Sequence, residues 1–198
     1  IALQLSTRLR VGEAEAAIGV SAFYQNKSTP VIAAVNFAEV HTAELTKAIG
    51  HPAFEFMRGQ DVVAAGRVDF SIFSDGYVDN LHFDVTTGSG RILVPGLKQH
   101  SLNIKEMSAK GKFSENFSRL TLKDLRLNLG DGLEVKAEGL WSQNREGKFL
   151  KSQIKFVNLP HKNLATYWPA EIGFQARSWV LENVKDGLIS EGQISIDL

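Results

Sequence analysis

The dominant pattern along this chain is alternation of apolar and polar residues with a period of two, the signature of half-buried β-strands. Val68-Asp69-Phe70-Ser71-Ile72 puts Val68, Phe70 and Ile72 on one face. Ser74-Asp75-Gly76 predicts a hairpin turn, because Asp-Gly suits its backbone. The return strand carries Leu81, Phe83 and Val85 on one face and His82, Asp84 and Thr86 on the other. Gly88-Ser89-Gly90 turns into Arg91-Ile92-Leu93-Val94, and Leu102 and Ile104 alternate with Ser101, Asn103 and Lys105 in the next predicted strand.

Further on, Leu120 and Leu122 share a face, but Leu125, Leu127 and Leu129 are displaced by one residue. A bulge around Lys123-Asp124 restores the register, since one extra residue flips every later side chain. Gly130-Asp131-Gly132 predicts a turn into Leu133–Ala137, and Asn144 to Gly147 another, before a strand containing Ile154 and Phe156. Near the start, Glu13–Tyr24 and Val31–Val40 flank a turn at Asn26-Lys27-Ser28 and pair as a hairpin, with Pro30 placed where it costs no ladder hydrogen bond. Val78–Val85 matches Leu122–Leu129 in apolar character, either as repeated strand units or because amphipathic strands resemble one another.

Two segments read as helix. Over 42–49, Leu45, Ala48 and Ile49 share a side, with Gly50 and Pro52 as stop signals. Over 170–184, Ile172, Ala176, Trp179, Val180 and Val184 form a stripe, Pro169 sits near the start and Gly187 ends it. Residues 51–63 carry no clear period. The expected fold is therefore mainly β, an extended antiparallel sheet with one or two short helices, in one domain over residues 1–198.

Composition narrows the function. Lys+Arg and Asp+Glu are 22 each, so the chain lacks the basic excess that a nucleic-acid binder uses to displace counterions. No cysteine is present, which removes disulfides, thiolate metal sites and a Cys nucleophile. Apolar runs such as Val31–Val35 are too short to span a bilayer. The chain begins and stops inside predicted strands, so an anchor or targeting signal is expected outside this fragment.

Candidate chemistry is sparse. His41, His51, His82, His100 and His161 show no metal-binding spacing. Gly88–Gly90 and Gly130–Gly132 lack the helix and lysine of a phosphate loop, and no nucleophile elbow occurs. Asp69, Asp75, Asp79 and Asp84 cluster in sequence but fall in turns or opposite apolar positions, as on a solvated sheet face. We therefore expect no catalysis, no metal and no cofactor. Phe70, Phe73, Phe83, Phe113, Phe117 and Phe156 can line a ligand groove or fill a sandwich core; periodicity does not separate the two.

The stretch Gly66–Ile92, with its Gly-x-Val, Asp-Gly and Gly-x-Gly-x-Ile rhythm, resembles the AsmA-like proteins of Gram-negative envelopes, and Asp124–Gly139 fits the rhythm less strictly. Leu164-Ala-Thr-Tyr-Trp-Pro169, followed by Ala176-Arg-Ser-Trp-Val180, Asn183 and Gly187, resembles a helix of an uncharacterised domain in the large members. The resemblance covers roughly residues 60–198. It implies a curved, groove- or taco-like sheet in the periplasm, anchored to the inner membrane by a segment outside this fragment. Its apolar concave face would carry phospholipid or another acyl lipid between membranes or support outer-membrane assembly, with other envelope proteins as further partners. On that expectation the groove is lined by Val68, Phe70, Ile72, Leu81, Phe83, Val85, Leu102, Ile104, Leu125, Leu127 and Leu129. The alternative is a structural or protein-binding β module with a closed core.

Overall fold

A computed structural model describes residues 1–11, 14–26, 29–48, 58–94, 101–145, 147–168 and 173–198. Ten strands form one open antiparallel sheet: β1 (Ala2–Val11), β2 (Ala14–Phe23), β3 (Val31–His41), β4 (Val63–Ile72), β5 (Val78–Thr87), β8 (Glu106–Ser114), β9 (Arg119–Gly130), β10 (Leu133–Asn144), β11 (Gly147–Pro160) and β12 (Leu188–Asp197). Spatial order follows chain order except for one excursion: β6 (Gly90–Leu93) and β7 (Ser101–Ile104) leave the sheet as a separate two-stranded ribbon. Among the described residues there are also three short helices, α1 (Thr42–Ala48), α2 (His161–Tyr167) and α3 (Phe174–Asn183).

The turns form where the sequence places them. Between β4 and β5, Gly76 adopts φ +83° and the Asp75 carboxylate accepts from Tyr77 N–H. The β9–β10 turn runs through Gly130, Asp131 and Gly132, all at positive φ. Asn144 Oδ1 accepts from Gly147 N–H at the β10–β11 turn. The β2–β3 hairpin forms as expected, with Lys27 and Ser28 of its turn outside the described residues.

The bulge at Lys123 is present and does what the register demands. Leu122 pairs with Gly111 and Gly139, whereas Leu125 pairs with Ala109 and Ala137, so Lys123 is the extra residue against both neighbouring strands. The same apolar-x-x-apolar step recurs with a positive-φ residue at Phe37–Val40 (Glu39, φ 59°), where β3 shifts against β4. It recurs again at Val78–Leu81 (Asn80, φ 54°), where β5 shifts against β4. The resemblance between Val78–Val85 and Leu122–Leu129 thus has a physical content: each segment begins with a bulge that returns the following side chains to the same face.

The helices differ from expectation. There are three, not one or two, and α2 forms over residues that carry no long apolar stripe. α1 matches the prediction over Thr42–Ala48, with Ile49 outside the described residues. α3 lies within the predicted 170–184, but its sheltered side is Arg177, Ser178, Val180 and Leu181, while Ala176 faces solvent and Trp179 is 62% exposed. The expected stripe therefore had the wrong axis, and Ile172 of it lies outside the described residues.

Cover is concentrated at one end of the strands. Val62, Leu102 and Ile104 form a buried cluster against Met107, Leu127 and Leu129. Leu133, Leu159 and Leu164 form a second, flanked by Phe156, Val180 and Leu181, and Leu129 and Tyr167 touch both. Thr42 Oγ1 fastens part of this cover by donating to the Gln60 and Val62 carbonyls and accepting from Val62 N–H. Arg177 of α3 donates to the Trp168 and Ala165 carbonyls, tying α3 to the end of α2 at 3.1 and 3.2 Å. Among the described residues the rest of the sheet is a single layer. The accessible surface is 13024 Å², whereas a compact chain of this mass would expose about 9300 Å².

Candidate functional site

Because every neighbouring pair is antiparallel and the register shifts return side chains to the same face, side chains line up in rows that cross the sheet. One row runs Leu5, Val20, Val35, Val68, Phe83, Gly111, Leu122, Gly139, Ser152, Ile196. The rows on either side carry Leu3, Ala33, Phe70, Leu81, Phe113, Leu120, Trp141 and Leu150 toward the hairpin turns, and Ile18, Phe37, Val85, Leu125, Ile154 and Ile194 toward the covered end. Ten strands at their usual spacing make such a row roughly 43 Å long.

Aromatic rings fill this face where small residues leave room. The Phe83 ring lies over Gly111 and that of Phe156 over Gly192, positions where a Cβ would collide with the ring. Phe83, Phe113 and Phe117 then form a chain with ring centroids 5.8 and 5.7 Å apart, ending at the β8–β9 turn. Glu115, Asn116 and Phe117 in that turn are all left-handed, which holds Phe117 at the rim.

The structure divides the eleven expected site residues. Val68, Phe70, Ile72, Leu81, Phe83, Val85 and Leu125 lie together on the apolar face, each half-buried. Leu127 and Leu129 share that face but pack beneath the covered end. Leu102 and Ile104 do not belong to the face as sheet residues: they sit on the β6–β7 ribbon and are buried to 7% and 4% exposure as part of its cover. Their alternation was correctly read, but alternation does not reveal which sheet a strand joins.

Sequence reasoning missed β8 as a strand, and with it the full set of apolar residues on β1–β3 and β10–β12. In Val31-Ile32-Ala33-Ala34-Val35 both faces carry apolar residues, which erases the signal for Val35. Trp141 and Ile196 are each visible only once the cross-strand register is known.

The opposite face is charged and internally paired. Arg67 donates through Nε and Nη2 to Asp69, and this guanidinium holds the Asp69 carboxyl below its ordinary range. Lys110 pairs with Asp84 across strands at 2.8 Å, and Arg126 with Asp124 at 3.1 Å. Asp79 accepts from the Asn80 amide. These carboxylates are thus each engaged by their own partner. At the covered end, burial pushes the Tyr167 hydroxyl up, with a smaller contribution from Asp131.

Among the described residues no group of three His, Asp or Glu side chains is placed to hold a metal ion. His51 and His100 lie outside the described residues; His82 is exposed, and His161 Nε2 is buried without a hydrogen-bond partner. No described helix is long and apolar enough to cross a membrane. No protein-family model, curated protein or solved structure matches the chain.

Proposed function

We propose that the apolar face of the sheet holds acyl chains, and that the chain is a non-catalytic, lipid-carrying segment of a periplasmic AsmA-like envelope protein. The observation that carries this reading is the set of largely apolar rows that cross the ten strands, with the described protein cover packed at one strand end. Curvature of the sheet around a bound chain would supply the groove. The resemblance of Gly66–Ile92 and Leu164–Gly187 supplies the envelope location, the inner-membrane attachment and phospholipid as cargo.

The energetics suit a carrier. A buried methylene contributes about 0.8 kcal/mol, so a sixteen-carbon chain half-covered by such a face gains about 6 kcal/mol, enough to hold and still release it. No specific polar contact is needed. The covered end blocks the face along the strands, so a chain would lie along the rows.

The test is native mass spectrometry of protein purified from a Gram-negative host, which should show co-purifying phospholipid. Val68→Glu and Leu122→Glu, each checked by circular dichroism for intact strands, should lose it. A lipid-free spectrum for the native chain, or folded variants that retain lipid fully, would defeat the reading.

A further inference from the structure

A depression of about 410 Å³ opens over the interior strands β5, β8, β9 and β10. Three consecutive cross-strand rows line it. Thr86, Ser108, Arg126 and Lys136 stand in register along one side, and Glu106, Asn128 and Glu134 along the other. The row between them, Thr87, Met107, Leu127 and Val135, turns its side chains to the apolar face, so its backbone forms the floor. Val62, Leu102 and Ile104 of the cover take no part in the lining, so the mouth is on the charged face.

The charges around this depression face one another without closing on it. Its two sides lie two residues apart along the strands, roughly 7 Å. Glu106, Glu134 and Lys136 are exposed and make no ion pair with another described residue. Arg67, Lys110 and Arg126 of the same face, by contrast, each hold a carboxylate. Arg126 reaches Asp124 through Nε, which leaves both of its terminal amino groups without a described partner. Arg126 and Lys136 are also direct cross-strand neighbours, and like charges so placed repel.

An anion seated between Arg126 and Lys136 removes that repulsion, and the Ser108 hydroxyl beside Arg126 in the same row is a further donor. The carboxylates opposite disfavour a ligand that is anionic throughout and call for a cation on the same molecule. We propose that the depression binds a small zwitterion carrying a phosphate and a primary amine a short spacer apart, the phosphoethanolamine group. Arg126 and Lys136 take the phosphate, and Glu134 and Glu106 take the ammonium. Two charges of each sign line the site, which matches a ligand of little net charge. The site faces away from the apolar rows, so it stands or falls separately from acyl-chain binding.

Amide-resolved NMR titration of the 198-residue chain with glycerophosphoethanolamine tests this. A solvent-open site with a few charged contacts predicts dissociation on the order of 1 mM, with saturable shifts centred on Ser108, Arg126, Glu134 and Lys136. Glycerol 3-phosphate, which lacks the amine, should bind about fivefold more weakly. Lys136→Gln should weaken both ligands by about the same factor, whereas Glu134→Gln should weaken glycerophosphoethanolamine alone and erase the preference. Lys112→Gln, on the same face outside the depression, should change neither, and circular dichroism should be unaltered in all three variants. Short-chain phosphatidylethanolamine identifies the source of the group. Tighter binding of it at these same residues assigns a lipid headgroup and weaker binding a soluble ester, and either supports the site. Absence of saturation at about 20 mM glycerophosphoethanolamine overturns the proposal. So does equal affinity for glycerol 3-phosphate, which would mean that the amine is not read. An equal loss in Lys112→Gln does the same, because the binding would then belong to the charged face at large.

Discussion

Deleting single residues of β9 separates the bulge from the strand that it serves. Leu122 and Leu125 are three residues apart but face Gly111 and Ala109 on one side and Gly139 and Ala137 on the other, two apart on each. Without Lys123 the spacing becomes two, alternation is strict, and Leu120, Leu122, Leu125, Leu127 and Leu129 all stay on the apolar face. That deletion should therefore shift stability by less than about 1 kcal/mol. Deleting Thr121 instead leaves the bulge but moves Leu120 to the charged face and brings Arg119 onto the apolar one, opposite Phe113. A fully buried leucine contributes about 1.5–3 kcal/mol, so a half-buried one forfeits about 1 kcal/mol. Placing a charge against Phe113 adds about 2 more. A loss of about 3 kcal/mol is a large share of the 5–15 kcal/mol that holds a domain together. Urea unfolding followed by circular dichroism reads both variants. If the Lys123 deletion costs as much as the Thr121 deletion, or the Thr121 deletion unfolds within about 1 kcal/mol of the native chain, the register argument is refuted.

Other expectations follow from particular side chains. Glu39 sits at φ 59° in its bulge, and Glu39→Asn should stabilise the chain by about 0.5–1 kcal/mol in the same assay, because asparagine tolerates the left-handed region. Tyr167 has a raised pKa, so its contribution is complete below the unfolded value near 10 and is lost as pH rises through the folded value; Tyr167→Phe should flatten the alkaline decline in melting temperature. Asp69 has a lowered pKa through Arg67, so its contribution is present above the unfolded value near 4 and fades as pH falls through the folded one; Asp69→Asn should show a shallower acid limb. Arg177→Ala removes both donors to the α2 carbonyls and should cost about 1–2 kcal/mol, seen as faster hydrogen exchange across 177–184 with the central strands unchanged.

The sheet itself was legible because alternation, Asp-Gly turns and one displaced leucine series are local signals, and each is written within ten residues. Lys123 was recognisable as a bulge from five leucines alone. Strand partnership was not legible: nothing in Leu102 or Ile104 distinguishes a ribbon that covers a sheet from a strand within it. α2 was missed because its seven residues offer only Leu164 as a buried anchor, too little for a helical period. α3 was seen, but its sheltered side is set by Arg177 reaching the Trp168 carbonyl, a polar contact that hydrophobic periodicity does not register.

Strand order that tracks chain order has a consequence for how the molecule comes apart. Apart from the β6–β7 excursion, each strand touches chiefly the strands before and after it, so the sheet behaves as a one-dimensional stack in which stability is summed over neighbouring interfaces. Closure of each hairpin requires only a short loop, so assembly can begin at several places and spread outward. The buried clusters lie mainly against β8–β11, which makes that block the anchor. Strands β1–β3, which contribute to neither cluster, are then expected to open at lower cost than the block that the clusters hold.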